Sequence, residues 1–192
     1  MLEEVFIVPY DSTENIPQGF TKEKHTSSIW KKYNDIGVYI DHKIADSTNA
    51  MQQIIPYILL QSNKGNYFAY TLTFNDMEIT SIGFCNHITP ADGTITPLFK
   101  GAIRTFFEEI SYDDAISTPM EYVGTIRDMS HNDKHLGYVF VIKDVNEESI
   151  RLIAESENHK GKWMSRQDLI HKYSKLENWS KHIVNFLVDK DL

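Results

Sequence analysis

Residues 98–110, LFKGAIRTFFEEI, carry an apolar repeat that constrains the fold more than any other stretch of the chain. Phe99, Ala102, Ile103, Phe106 and Ile110 recur at intervals of three and four, which places them on one face of an α-helix. Thr96 and Pro97 supply a start signal, a hydroxyl for the N-cap followed by proline at the first helical position. The same geometry groups Thr105, Glu108 and Glu109 on another face, one turn after Arg104. Paired carboxylates on the rim of a packed helix suit a hard divalent cation, which takes oxygen ligands. The plainer reading is a solvated helix end closed by an Arg104–Glu108 surface pair, and Arg104 is read as a structural salt bridge in either case.

The flanking segments are rich in strand signals. Residues 53–61 and 67–74 are β-prone runs separated by SNKGN, a hairpin signal, and residues 80–88 form the next strand. Residues 122–127 and 136–142 read as strands joined by the polar loop 128–134, with a further short strand at 150–154. Nearer the N-terminus, residues 5–8 and 37–40 read as strands, 25–33 as a short helix, and 11–20 and 41–49 as polar loops, the latter a hinge. Ser165 and Asp168 fit a capping box, and Trp179, Ile183, Phe186 and Leu187 mark one face of a final helix. The fold class expected is α+β, a mixed β-sheet packed between helices.

Several features resemble a known family. The stretch SIGFCNHITPADGTITPLFKGAIRTFFEEI resembles the box of the Nudix (MutT-like) hydrolases, whose helix carries Arg-Glu-apolar-any-Glu-Glu. Arg104, Phe106, Glu108 and Glu109 match that pattern. Thr105 stands in place of its first glutamate, Ser111 in place of its late glycine and Asn86 near its opening glycine, so the box is degenerate. The segments QQIIPYILL, SIGFCNHI, HLGYVFVI and ENWSKHIVNFL are similar to a bacterial group of MutT-like phosphoesterases, and in SIGFCNHI the pair Cys85-Asn86 replaces Gly-Gly. The resemblance implies a single Nudix-like domain over 1–192. Residues 1–50 form an N-terminal elaboration, 51–160 a core with the box helix near 97–110, and 161–192 C-terminal helices.

What the resemblance implies chemically is a divalent-metal-dependent hydrolase of a nucleoside-diphosphate-linked or related diphosphate. Glu108 and Glu109 would hold Mg2+ or Mn2+, and either ion activates water and offsets phosphate charge. The loss of a carboxylate at Thr105 leaves a second reading, a Nudix-fold protein that binds a nucleotide or phosphate without turning it over. His87 joins the two glutamates as a catalytic candidate, because imidazole transfers protons near neutral pH. It reads equally as a structural strand histidine. Asp92 is a further residue within reach of the helix. Asp133 and His135 are substrate-loop candidates, since loops on rigid strands carry recognition residues. The acidic run 155–157 is a weaker candidate for a base outside the box.

Composition sets the outer bounds. A hydrophobic content of 41% supplies a proper core, and a formal net charge of −8 argues against general nucleic-acid binding. A small phosphorylated substrate remains compatible, because a bound cation reverses the local field. Cys85 is the only cysteine, which excludes an intrachain disulfide and a cysteine-rich zinc site, and its apolar strand predicts a buried side chain. The acidic N-terminal stretch does not resemble a signal peptide, and no run is long enough to span a bilayer, so a cytoplasmic location is expected. The sequence leaves the oligomeric state open, a homodimer included.

Overall fold

The computed structural model describes residues 3–23, 27–74, 77–112, 119–131, 134–154 and 159–192. Asp133 and the acidic run 155–157 lie outside these. In chain order the elements are β1 (Glu4–Pro9), β2 (Gly19–Lys22), α1 (Ser27–Ile36), β3 (Val38–Asp41), α2 (His42–Ser47) and β4 (Met51–Ser62). There follow β5 (Tyr67–Phe74), β6 (Met77–Ser81), β7 (Gly83–Cys85), α3 (Pro97–Glu109), β8 (Ile110–Tyr112) and β9 (Glu121–Arg127). The chain continues through β10 (His135–Val145), β11 (Ile150–Leu152), β12 (His159–Met164), α4 (Arg166–His171) and α5 (Asn178–Asp189). No helix among the described residues is long and apolar enough to cross a membrane.

A mixed sheet organises the molecule, with the strand path β12-β5-β4-β10-β9-β2. β4 and β10 run parallel in register from His135↔Gln53 to Ile142↔Leu60. Alternate residues of these two strands serve opposite layers, as the two-residue period of a strand requires. Ile54, Ile58 and Leu60, with Leu136, Tyr138 and Phe140, pack against Leu98, Ala102 and Phe106 of α3. Tyr57, Leu59, Val139 and Val141 pack against Ile183, Val184 and Leu187 of α5. The sheet therefore lies between helices, the α+β arrangement expected. Each large side chain so buried contributes about 1.5–3 kcal/mol.

One edge of β4 is shared by three partners, and this positions the functional region. β1 pairs with Met51, Gln52 and Gln53, β7 with Tyr57, Ile58 and Leu59, and β5 with Gln61. Ile54, Ile55 and Pro56 have no ladder partner on that edge among the described residues. Proline lacks an N–H, so a gap in the ladder is where it costs least. The single strand expected over 80–88 is instead β6 and β7, because the chain leaves β5 and joins β4 at Ile82. The Ile82 amide at this crossover donates to Ser180 Oγ of α5 at 2.9 Å.

Local signals and tertiary packing disagree in several places. Within the expected polar hinge 41–49, His42–Ser47 form a helix: Asp41 caps α2 by accepting from the Lys43 amide, and Ala45 is buried. Thr96 precedes α3 in a left-handed conformation, φ 53°, and its side chain makes no capping bond. The buried face of α3 is Leu98, Gly101, Ala102, Thr105 and Phe106, while Phe99 and Ile103 are exposed. The helix is thus turned by about one residue from its apolar stripe. It ends at Glu109 without a glycine, because Ile110 passes directly into β8 and pairs with β11.

Arg127 secures the N-terminal segment to the sheet. It is buried, and its Nη1 donates to the carbonyls of Thr13, Glu14 and Ile16 at 2.7, 3.1 and 3.1 Å, while Nη2 donates to Tyr10 Oη at 2.6 Å. Arg127→Met would leave these acceptors without their donor, at a cost of roughly 2–4 kcal/mol. The expected readout is a lower urea midpoint at unchanged m-value.

Candidate functional site

A cavity of about 550 Å³ opens on the α5 face of the sheet, beside the gap in the β4 ladder. Ile55 and Tyr57 of β4, Tyr70 of β5, and Cys85, Asn86 and His87 form one wall. Glu177 and Trp179 at the start of α5 form another, and Lys134 and His135 flank the opening. The interior is largely apolar and aromatic, with few polar groups, as small-molecule pockets generally are.

Glu177 is the most constrained polar group inside it. It caps α5, accepting from the Trp179 amide at 2.7 Å and the Ser180 amide at 2.6 Å. The N-terminal end of a helix also favours its negative charge. Tyr57 donates to the same carboxylate at 2.7 Å. Burial first, and then the neighbouring Glu177 charge, raise the Tyr57 hydroxyl well above its ordinary range, so it stays a neutral donor. The sequence reading marked the apolar face of α5 but neither the Glu177 cap nor the meeting of Tyr57 and Trp179 beside it.

The α3 carboxylates approach the cavity from the opposite side of the sheet. Glu108 is exposed, accepts from Asn86 Nδ2 at 3.1 Å, and pairs with Arg104 Nη1 at 2.9 Å. Glu109 is half-buried, and its carboxylate has no hydrogen-bond or ion-pair partner among the described residues. Its field reaches Cys85 and Tyr70, both on the cavity wall. Thr105 does not share their face. It is fully buried and its Oγ1 has no hydrogen-bond partner among the described residues, so the expected triad of Thr105, Glu108 and Glu109 is not formed. Cys85 is exposed and lines the cavity, contrary to the expectation of a core thiol. Desolvation, with Glu177 and Glu109 nearby, still pushes its thiol up to about 12.

Arg104 binds more than its helical neighbour. Its Nε and Nη2 each donate at 2.9 Å to a different oxygen of Asp92, and Nη2 also donates to the His87 carbonyl at 2.6 Å. Asp92 is buried, and its Oδ2 accepts from the Thr89 amide at 2.9 Å. One planar guanidinium thereby fixes the turn before α3, the backbone at His87 and the Glu108 carboxylate, a use of the bidentate fork that lysine cannot imitate.

His87 turns its ring away from that cluster. It lies 4.3 Å from the His42 ring and 6.0 Å from the His135 ring, centroid to centroid. Burial, then the two imidazoles, lower it from 6.5 to about 4, so it is neutral at pH 7. His135 is among the residues that line the cavity, and Asp133 lies outside the described residues. His42 and Glu3, which no motif marked, are brought to His87 by strand pairing alone.

No protein-family model matches the chain, and no curated protein matches it. Solved structures are similar to it. Tm1382, provisionally assigned as a Nudix hydrolase, superposes with a TM-score of 0.79 at 18% identity, over 97% of this chain and 99% of that one. A bifunctional NMN adenylyltransferase/ADP ribose pyrophosphatase from Francisella tularensis, solved with AMP and a manganese ion, gives a TM-score of 0.50 at 12% identity. That likeness covers 72% of this chain and 41% of the bifunctional protein, less than half its length. At these identities the common property is the fold, and the fold is Nudix-like.

Two outcomes follow from this geometry. Arg104→Ala strands a buried carboxylate at Asp92 and should cost about 3–5 kcal/mol. Adding Asp92→Asn should recover part of that loss in a double-mutant cycle read by denaturant unfolding. For His87, the unfolded chain binds a proton between about pH 4 and 6.5 that the folded chain does not, so stability rises with pH across that window. His87→Asn should flatten that slope in thermal melts.

Proposed function

We propose that the chain is a divalent-metal-dependent hydrolase of a diphosphate linked to a nucleoside or a similar flat group. The observation that carries this reading is the half-buried Glu109 carboxylate, without a hydrogen-bond or ion-pair partner among the described residues and within electrostatic reach of Cys85 and Tyr70 on the wall of a cavity of about 550 Å³. The Nudix-like fold supports it, as does the manganese ion in the Francisella protein.

The donors present at the α3 end fit Mg2+ or Mn2+. They are carboxylate oxygens, and such ions need only one or two of these, the remainder being water and substrate phosphate. When bound, the ion would neutralise phosphate charge and acidify a coordinated water. The protein's own side chains do the rest. Tyr57, Tyr70 and Trp179 offer apolar faces to a ring, and the phenol of Tyr57, kept neutral, donates to Glu177 and holds that carboxylate in place. Lys134 supplies positive charge at the opening for phosphate. His87 is a weak base, since its imidazole titrates near pH 4, and it serves better as a neutral acceptor that orients water or substrate. Arg104 holds Glu108 and the turn before the helix in place, a positioning role.

A second reading is a binding protein without turnover. It is favoured by Thr105, buried where the resembling box has a glutamate, and by Glu108, whose charge is already shared with Arg104 and Asn86. A carboxylate engaged in this way offers less to a cation.

Nucleoside-diphosphate-linked compounds assayed with Mg2+ or Mn2+ distinguish the two. Under the hydrolase reading Glu109→Gln lowers kcat/KM by at least about a hundredfold, the scale of losing one electrostatic group. Glu108→Gln lowers it less, because Glu108 is already charge-paired. Calorimetric binding of the same compounds without product would establish the binding protein. Neither binding nor turnover would reject both readings.

A further inference from the structure

A second group of ligand-type side chains lies at the edge of the same cavity, and only its His87 enters the reading above. Glu3, His42 and His87 bring a carboxylate oxygen and two imidazole nitrogens within 4.8 Å of one another. They come from three separated parts of the chain and meet for structural reasons. Antiparallel pairing of β1 with β3, Glu4↔Asp41, sets Glu3 beside His42, and the His42 amide donates to the Glu3 carbonyl at 2.8 Å. The Phe6 amide donates to the Ile88 carbonyl at 2.9 Å, which docks His87 against the same strand.

The local chemistry is that of a nitrogen-rich cation site. Two imidazoles lie 4.3 Å apart between ring centroids, and a neutral imidazole offers a nitrogen lone pair to a metal. His42 Nδ1 is 3.8 Å from Glu3 Oε2. A tetrahedral ion with bonds of 2.0–2.2 Å holds its ligand atoms roughly 3.4 Å apart, so small rotamer adjustments close the set. The other nitrogen of His42 faces a second carboxylate: Nε2 is 3.5 Å from Asp46 Oδ2, one turn further along α2. Asp46 is itself anchored, its Oδ1 accepting from Gln53 Nε2 at 2.8 Å. A carboxylate behind the far nitrogen of a histidine fixes the tautomer that frees the near nitrogen for a metal.

We infer that Glu3, His42 and His87 form a site for a borderline first-row transition ion such as Zn2+, with Asp46 as the outer partner of His42. Imidazole selects such ions over Mg2+, which prefers oxygen and water. Three protein ligands leave a coordination position open, and His87 places the site on the cavity wall. This site differs in donor type and position from the α3 carboxylates.

The test uses the full chain after chelator treatment. Zn2+ binding is measured by calorimetry, and Co2+ serves as a spectroscopic probe of imidazole ligation through its visible absorption. One equivalent of Zn2+ is expected to bind, with Co2+ bands that Zn2+ removes and millimolar Mg2+ does not. His42→Ala and His87→Ala should each weaken Zn2+ at least about tenfold, and Asp46→Asn about 10–100-fold, the range for outer partners. Glu109→Gln should leave Zn2+ affinity unchanged, which separates this result from any test of diphosphate hydrolysis. His42 is partly exposed at the surface, so His42→Ala remains informative where His87→Ala fails to fold. Absence of Zn2+ binding overturns the inference. So does binding that persists in folded His42→Ala, or binding lost in Glu109→Gln.

Discussion

The buried carboxylate of Asp92 requires Arg104, and much of the site depends on that requirement. Asp92 lies under the turn that introduces α3, where an uncompensated charge would be costly. The guanidinium satisfies both of its oxygens and still reaches the His87 carbonyl and Glu108. The pitch of α3, the end of the strand before it and the direction of one carboxylate are therefore set together. A surface pair between Arg104 and Glu108 would have fixed none of these, because exposed i, i+4 pairs contribute only about 0.3–0.5 kcal/mol.

The cavity itself follows from how β4 is shared. A strand paired along its whole length with one neighbour leaves no opening. Here β1, β7 and β5 divide one edge, and the gap at Ile54, Ile55 and Pro56 exposes the α5 layer beneath. α5 then begins at that opening with Glu177, whose capping role and whose contact with Tyr57 are one geometry. The Ser180 side chain bonds both Tyr57 and the Ile82 amide, so the partner switch between β6 and β7 is held by the helix that closes the cavity.

Periodicity revealed the elements, while contacts between them decided which faces were used. The central helix, the β4–β5 pair, β9, β10 and α5 were all readable from spacing and turn chemistry. The orientation of α3 was not. Its stripe of Phe99, Ala102, Ile103 and Phe106 predicted one face, yet the sheet takes Leu98, Gly101, Ala102 and Thr105. Small residues at 101 and 102 allow close approach of the helix, and Gly101 has Asp92 and Ile88 just beyond where a Cβ would stand. That close fit buries Thr105 and leaves Phe99 and Phe107 exposed. Residues 41–49 were misread because Asp41 and its polar successors signal a loop as strongly as a cap. Glu3 and His42 carry no motif, and only strand pairing brings them together.

Three consecutive residues join the two chemistries of the cavity wall. Cys85 lies within the field of Glu109, Asn86 donates to Glu108, and His87 faces His42 and Glu3. In extended chain successive side chains point to opposite sides, so Asn86 reaches the α3 side while His87 turns towards α2. The backbone carbonyl of His87 is meanwhile bound by Arg104, which prevents this segment from shifting its register. An oxygen-rich end and a nitrogen-rich end are thus held by one short, doubly anchored stretch. A change in how Glu108 is engaged must act through Asn86 or Arg104, and both connect directly to the position of His87. Thr105, uncharged and buried, leaves the polar groups to the cavity margin. That margin holds one carboxylate bound by its neighbours, one without a partner among the described residues, and an imidazole pair on the opposite flank.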